Sequence, residues 1–325
     1  MDRSRRRFLR TAAGIAALPA TARLARAETY PSRPVHIIVG FAAGGTSDIA
    51  ARLIGQALQE RLGQPFVIEN RPGAATNLAT EMVVHAAADG YTLLMVGPSS
   101  TINATLYDKL GFVFLRDTTP VGSVFQQPQV ILAHPSLPVK TLPELIAYAK
   151  ANPGKVTMAS AGTGSSGHLA GEMFKMMAGV NILHVPYRGA APALNDLLGG
   201  QVLTAVTGIA GSIEHVKAGK LTALAVTTAT RVEALPDVPT VAEFLPGFEA
   251  ADVIGVCAPK GTPSEIIGQL NKAINTAVAE PKMMARFAEL GATALALTPA
   301  QYGALLAAET EKWGKVIRAA NIRPE

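Results

Sequence analysis

Cysteine is almost absent: Cys257 stands alone in 325 residues. No disulfide can close within the chain, and the apolar strand pattern around Cys257 makes it a packing residue. Histidine is sparse and scattered, six in all. With no H-E-x-x-H and no C-x-x-C there is no metal-ligand spacing. No G-x-S-x-G nucleophile elbow occurs, and no carboxylate pair stands out in the glycine-rich loops. No run beyond the N-terminal segment is long and apolar enough to cross a bilayer as a helix. A basic stripe is also missing. The formal charge is +5, but residues 1–27 hold seven arginines and one aspartate, which leaves 22 basic and 23 acidic residues beyond them. The surplus belongs to that segment, and nothing remains that argues for nucleic acid.

What is present begins with an address. SRRRFLR at 4–10 places Arg5 and Arg6 before Phe8 and Leu9, a mildly apolar stretch covers 11–22, and Ala25-Arg26-Ala27 fits small-x-small cleavage. The pattern predicts a twin-arginine export signal cut after Ala27 and a periplasmic product. No cysteine follows it to carry a lipid. The remaining 298 residues are enough for about two domains.

Two stretches share one grammar of strand, small-residue loop and helix start. Residues 156–159 read as a buried strand, 160–167 are rich in glycine and serine, and from His168 apolar residues recur at helical spacing. Residues 36–41 read as a strand, 42–46 as a small-residue loop, and Ser47 or Asp48 opens a helix to about Leu62. The first N–H groups of a helix lack internal acceptors and its start is partly positive. Glycines let a ligand's oxygens approach the backbone. Two such sites far apart in sequence predict two lobes that present helix ends to one small anion.

Strands alternate with helices through the rest of the chain, which predicts parallel sheets covered on both faces. Residues 121–125 and 130–133 read as strands broken at 126–128, a crossing between lobes, and 253–258 read as the strand that crosses back. TLPE at 141–144, TPSE at 262–265 and TPAQ at 298–301 read as helix-capping boxes. The domains expected are lobe 1 over 28–126 plus 254–325 and lobe 2 over 127–253.

GTGSSG at 162–167 also matches the dinucleotide-binding G-x-G-x-x-G. The alternative reading is therefore an exported NAD(P)-dependent oxidoreductase that uses the Gly162 to Gly167 loop. That fingerprint wants an acid after the next strand, where Pro186, Tyr187 and Arg188 stand instead. A tight turn without a ligand is the third reading.

Several short motifs occur in order: YPSRP at 30–34, FAAGGTSD at 41–48, ENRPGA at 69–74, DGYTLL at 89–94, YAKANPG at 148–154, SAGTGS at 160–165, VPYRG at 185–189 and LPDVPT at 235–240. Together they make the chain resemble the tripartite tricarboxylate transporter substrate-binding proteins, the Bug family of periplasmic solute receptors, from end to end. The resemblance implies an α/β, two-lobed periplasmic-binding-protein (flytrap) fold, each lobe a mostly parallel sheet flanked by helices. It implies a receptor without enzymatic turnover or cofactor. That receptor would hold a small carboxylate, as a monomer, for membrane transporter subunits or a sensory partner.

The ligand-binding residues expected in the first lobe are Phe41, Ala42, Gly44, Gly45, Thr46, Ser47 and Asp48. Those in the second are Ser160, Ala161, Gly162, Thr163, Gly164 and Ser165. Asp48 fits a cap better than a contact to an anion. Ser99 either lines the cleft as a hydroxyl donor or sits in a plain turn. His168 fits a cap or packing role better than a base. Tyr187 either donates its hydroxyl to the ligand or makes an inter-lobe contact. The family often has an aspartate that meets a ligand amine where Thr207 stands here. That departure weakens the case for an amino-acid ligand and leaves carboxylate binding intact.

Overall fold

The computed structural model describes residues 30–324, so the expected export signal and its cleavage site at Ala27 lie outside the described residues. The chain begins with β1 (Val35–Val39), α1 (Thr46–Leu62), β2 (Phe66–Asn70), α2 (Asn77–Val84), β3 (Thr92–Val96), α3 (Pro98–Leu106), α4 (Phe114–Asp117) and β4 (Thr118–Gln127). A second group follows, with β5 (Gln129–Ala133), α5 (Leu142–Ala151), β6 (Thr157–Ser160), α6 (Ser166–Ala178) and β7 (Leu183–Pro186). It ends with α7 (Ala190–Leu198), β8 (Thr204–Gly208), α8 (Ile209–Lys217) and β9 (Thr222–Val226). The chain returns through β10 (Asp252–Pro259), α9 (Ser264–Val278), α10 (Pro281–Glu289), β11 (Thr293–Ala294) and α11 (Pro299–Ala319).

Six strands form one sheet in the order β11-β4-β10-β3-β1-β2, and five form another in the order β7-β6-β8-β5-β9. Each sheet holds a parallel block of three. In the first, Ile37 of β1 lies opposite Ile68 of β2 and Leu93 of β3. In the second, Ala159 of β6 lies opposite Val185 of β7 and Ala205 of β8. The sheets are nevertheless mixed, not mostly parallel, because β4, β10 and β11 join antiparallel, as do β5 and β9. The cause is the traffic between halves. β4 leaves for the second sheet and β10 comes back beside it, with Gln127 opposite Asp252. Neighbouring strands that travel in opposite directions pair antiparallel.

β1 and β6 are the switch points of their sheets. Each is followed in sequence by a neighbour on one side and then by a neighbour on the other. Open α/β sheets bind ligands beyond the carboxyl ends of strands at such points. Both glycine loops leave from these ends.

The apolar runs explain the two layers. Ile37, Ile38 and Val39 in β1 and Val130 to Ala133 in β5 are wholly buried, as expected of strands covered on both faces. Cys257 lies in the first core, where burial pushes its thiol up to about 12. α11 serves both halves. Tyr302 and Leu306 pack with Ile38, Leu94 and Val96 of the first sheet. Trp313, Val316 and Ile317 pack in the other core with Ile131 and Val206 of the second sheet, Phe174 of α6 and Phe248. The box at Thr298 forms with Gln301, whereas Thr262 instead donates to the Pro259 carbonyl and caps no N–H. Pro263 has taken the N-cap position there.

A short left-handed turn follows β2. Ala74, Ala75 and Thr76 have φ of 46°, 50° and 79°. The Asn103 amide holds it by donating to the Ala75 carbonyl at 2.6 Å. Side chains in this region strain the backbone by about 1–2 kcal/mol each. Ala75 is exposed, so its methyl contributes little packing. Ala75→Gly is expected to raise stability by about 1 kcal/mol, after its extra unfolded-state entropy is offset. The check is a thermal melt, with Tm rising by about 2 °C. A lower Tm would contradict the strain.

Candidate functional site

The loop after β6 is braced from within. Gly162 and Gly164 have φ of 130° and 77°, which glycine alone adopts without strain. Ser165 caps α6, its hydroxyl accepting from the His168 N–H at 3.3 Å and donating to the Gly162 carbonyl at 2.7 Å. The Gly164 N–H donates to Nδ1 of His168 at 3.1 Å, so that nitrogen carries no proton. The His168 ring stacks on His184 at 3.7 Å, and Nε2 of His184 lies 2.7 Å from the Ser160 hydroxyl. His168 is thus buried beneath the loop as a brace. The N–H groups of Gly162 and Gly164 are occupied inside the loop, the first by the Ser160 hydroxyl. The helix donors left without an acceptor are those of Ser166 and Gly167, the first two residues of α6.

The loop after β1 is organised by Asp48. Its buried carboxylate accepts from the Gly44 N–H at 2.9 Å, from Arg52 at 2.9 and 3.0 Å and from the Asn70 amide at 3.0 Å. The Arg52 hydrogen bonds hold its pKa down to about 2. Asp48 is fully engaged by the loop it shapes and by Arg52. Gly45 caps α1 without a side chain, which leaves the N–H groups of Thr46 and Ser47 unpaired within the helix. Phe41, Ala42, Gly44 and Gly45 are exposed around this turn.

The two helix starts meet at a cavity of about 270 Å³. Thr46 lines it from the first half, and Ala161, Ser165, Ser166 and Gly167 line it from the second. Thr207 and Gly208 at the end of β8 form another wall, and Gln127, Gln129 and Asp252 at the crossing strands close it. Of the residues expected from sequence, Thr46, Ala161, Ser165 and Thr207 face this cavity. Phe41, Ala42, Gly44, Gly45, Ser47, Asp48, Ser99, Ser160, Gly162, Thr163, Gly164 and His168 do not line it. Most of them sit in or under the two loops. Tyr187 is turned away, its hydroxyl donating to Asp196 at 2.8 Å.

The residues that sequence reasoning missed come from the crossing. Gln129 donates through Nε2 to Asp252 at 3.1 Å and to the Ser166 hydroxyl at 2.6 Å, and Ser166 donates to Asp252 at 3.2 Å. Burial pushes the Asp252 carboxyl up to about 6. A signal existed: Gln126 and Gln127 lie in the break read as the crossing, and Gln129 and Asp252 are polar residues directly before the apolar runs 130–133 and 253–258. Gly167 sits so close to β8 that a Cβ there would lie 2.5 Å from the Val206 carbonyl oxygen.

A family profile described as the tripartite tricarboxylate transporter family receptor matches residues 50–322. Protein BugT of Bordetella pertussis is 40% identical over 295 residues, which is 90% of each chain. Among solved structures, a Rhodopseudomonas palustris protein with adipate is 38% identical with a TM-score of 0.80, over 91% of this chain and 100% of that one. MatC from the same organism, with bound malate, is 33% identical with a TM-score of 0.75, over 89% and 100%. The periplasmic binding protein BugD is 36% identical with a TM-score of 0.76, over 91% and 100%.

Proposed function

We propose that this chain, which belongs to the tripartite tricarboxylate transporter receptor family, is a periplasmic receptor that captures a small carboxylate between two lobes. The observation that carries this reading is one cavity lined at once by Thr46 at the start of α1 and by Ser165, Ser166 and Gly167 at the start of α6. The relatives solved with adipate and malate support a carboxylate as the ligand class. The receptor description of the family favours this function over a nicotinamide-dependent oxidoreductase.

The ligand's oxygens meet the unpaired N–H of Thr46 on one side and those of Ser166 and Gly167 on the other. Each helix start contributes about 0.3–1 kcal/mol, rising to about 2 when partly buried. Each charge-assisted hydrogen bond adds about 1.5–3 kcal/mol. The N-terminal segment directs twin-arginine export with cleavage after Ala27, and the lobes divide as 28–126 plus 254–325 and 127–253. The partner is a membrane transporter or a sensor, served by a monomer that turns nothing over.

The test is a thermal-shift screen of small carboxylates on the protein without residues 1–27, followed by small-angle scattering. At about 100-fold excess over Kd the stabilisation is about 2.7 kcal/mol, and the radius of gyration falls as the cleft closes. Absence of any carboxylate-induced shift, or micromolar binding of NAD or NADP, contradicts the proposal.

A further inference from the structure

Among the residues that line the cleft cavity, Asp252 alone is ionisable. Its two oxygens accept from neutral donors, the Gln129 amide at 3.1 Å and the Ser166 hydroxyl at 3.2 Å. Among the described residues no cation pairs with it. The charged groups that influence it are Glu309 and Lys312 on α11. Lys312 is already engaged by Glu309 at 2.6 Å and by the Glu249 carbonyl at 3.0 Å. Beside Asp252 the Oε1 of Gln129 is buried and has no hydrogen-bond partner. The floor of the cavity therefore offers acceptors in excess of donors. A ligand made only of carboxylates is itself acceptor-only and gives this floor nothing.

We infer that the ligand is an amino carboxylate, its carboxylate at the helix starts and its ammonium group paired with Asp252. This inference rests on the receptor reading and narrows its ligand class. A half-buried carboxylate withdrawn from water without a cation is costly, and a bound ammonium supplies the missing partner. Ser166 sets the spacing. Its backbone N–H belongs to the helix start, while its hydroxyl touches Asp252. The two charges of the ligand are thus held close together, as in an α- or β-amino acid. The cavity volume of about 270 Å³ leaves room for a small ligand of this kind. The acid absent at Thr207 is provided instead by the strand that crosses back, so Thr207 does not exclude an amine.

Asp252 is ionised above about pH 6 and neutral below it. An ammonium group loses its partner as pH falls through that value. A plain carboxylate loses a repulsive neighbour and gains a donor. The two ligand classes respond to pH with opposite sign.

The test is titration calorimetry on the protein without residues 1–27, with amino carboxylates beside their deaminated analogues: aspartate and succinate, glutamate and glutarate, leucine and isocaproate, β-alanine and propionate. The expected result at pH 7.5 is an amino member bound at least about ten-fold more tightly than its analogue. That member binds about ten-fold more weakly at pH 5, where nine-tenths of Asp252 is protonated. Asp252→Asn, which keeps the size, removes both the preference and the pH dependence. The wild-type pH series stands without the variant. Binding of plain carboxylates with no amino preference, or tighter amino binding at pH 5, overturns this inference and leaves the receptor reading standing. If no member of either series binds, both fall.

Discussion

Gly167→Ala is expected to abolish carboxylate or amino-carboxylate binding and to lower stability by about 1–3 kcal/mol. The added Cβ would lie 2.5 Å from the Val206 carbonyl oxygen and 3.1 Å from Oε1 of Gln129. A side chain can swing aside, but the carbonyl cannot. Val206 lies in the middle of β8, in register with Ile131 of β5. The start of α6 must lift instead. That movement separates Ser166 from Asp252 and withdraws the unpaired N–H groups from the cavity, so affinity suffers more than stability. Calorimetry and a thermal melt measure the two effects. Gly268→Ala on α9, where a Cβ meets nothing within 4 Å, is the control and should not destabilise. Wild-type affinity in the Gly167 variant would show that the helix start is not the binding element.

Trp313→Ala is expected to cost about 3–5 kcal/mol, the largest stability loss anticipated for a single side chain here. Trp313 is 2% exposed and packs from α11 into the core of the second sheet. The fit around it is close: a Cβ on the neighbouring Gly314 would come within 2.9 Å of the Thr105 hydroxyl on α3. Lys312 lies over the indole ring, 4.6 Å from its centroid, which adds a cation–π contact that alanine also removes. Tm should fall by roughly 6–20 °C. Circular dichroism is the measurement, since the sequence has one tryptophan and the variant has none. Trp313→Phe, which keeps an aromatic in the cavity, should lose less. A Trp313→Ala protein that melts with the wild type would mean that α11 is not needed to complete the second core.

The places where strand gives way to glycine loop and helix were readable from sequence because the signal is local. Small residues at 42–46 and 160–167 interrupt apolar runs, and the chain has few other ways to satisfy such a pattern. The sheet direction was not local. Nothing within 118–127 or 252–259 says that these strands run beside each other in opposite senses, so mixed sheets were read as mostly parallel. The pairing of the loop's own N–H groups was hidden for a related reason. Gly162 and Gly164 looked like ligand donors, yet their N–H groups bond to Ser160 and His168 within the loop, and the open donors lie at Ser166 and Gly167. Asp252 and Gln129, 123 residues apart in sequence, come together only through the pairing of the crossing strands.

The placement of α11 also bears on how the chain acquires its structure. Its 21 residues span roughly 30 Å, with Tyr302 and Leu306 seated in one core and Trp313, Val316 and Ile317 in the other. It follows every strand in chain order. During synthesis, then, both cores wait for the same late segment, each with an apolar face still uncovered. Each half completes its core only when α11 docks, and until then the unfinished chain exposes apolar surface of the kind that favours aggregation.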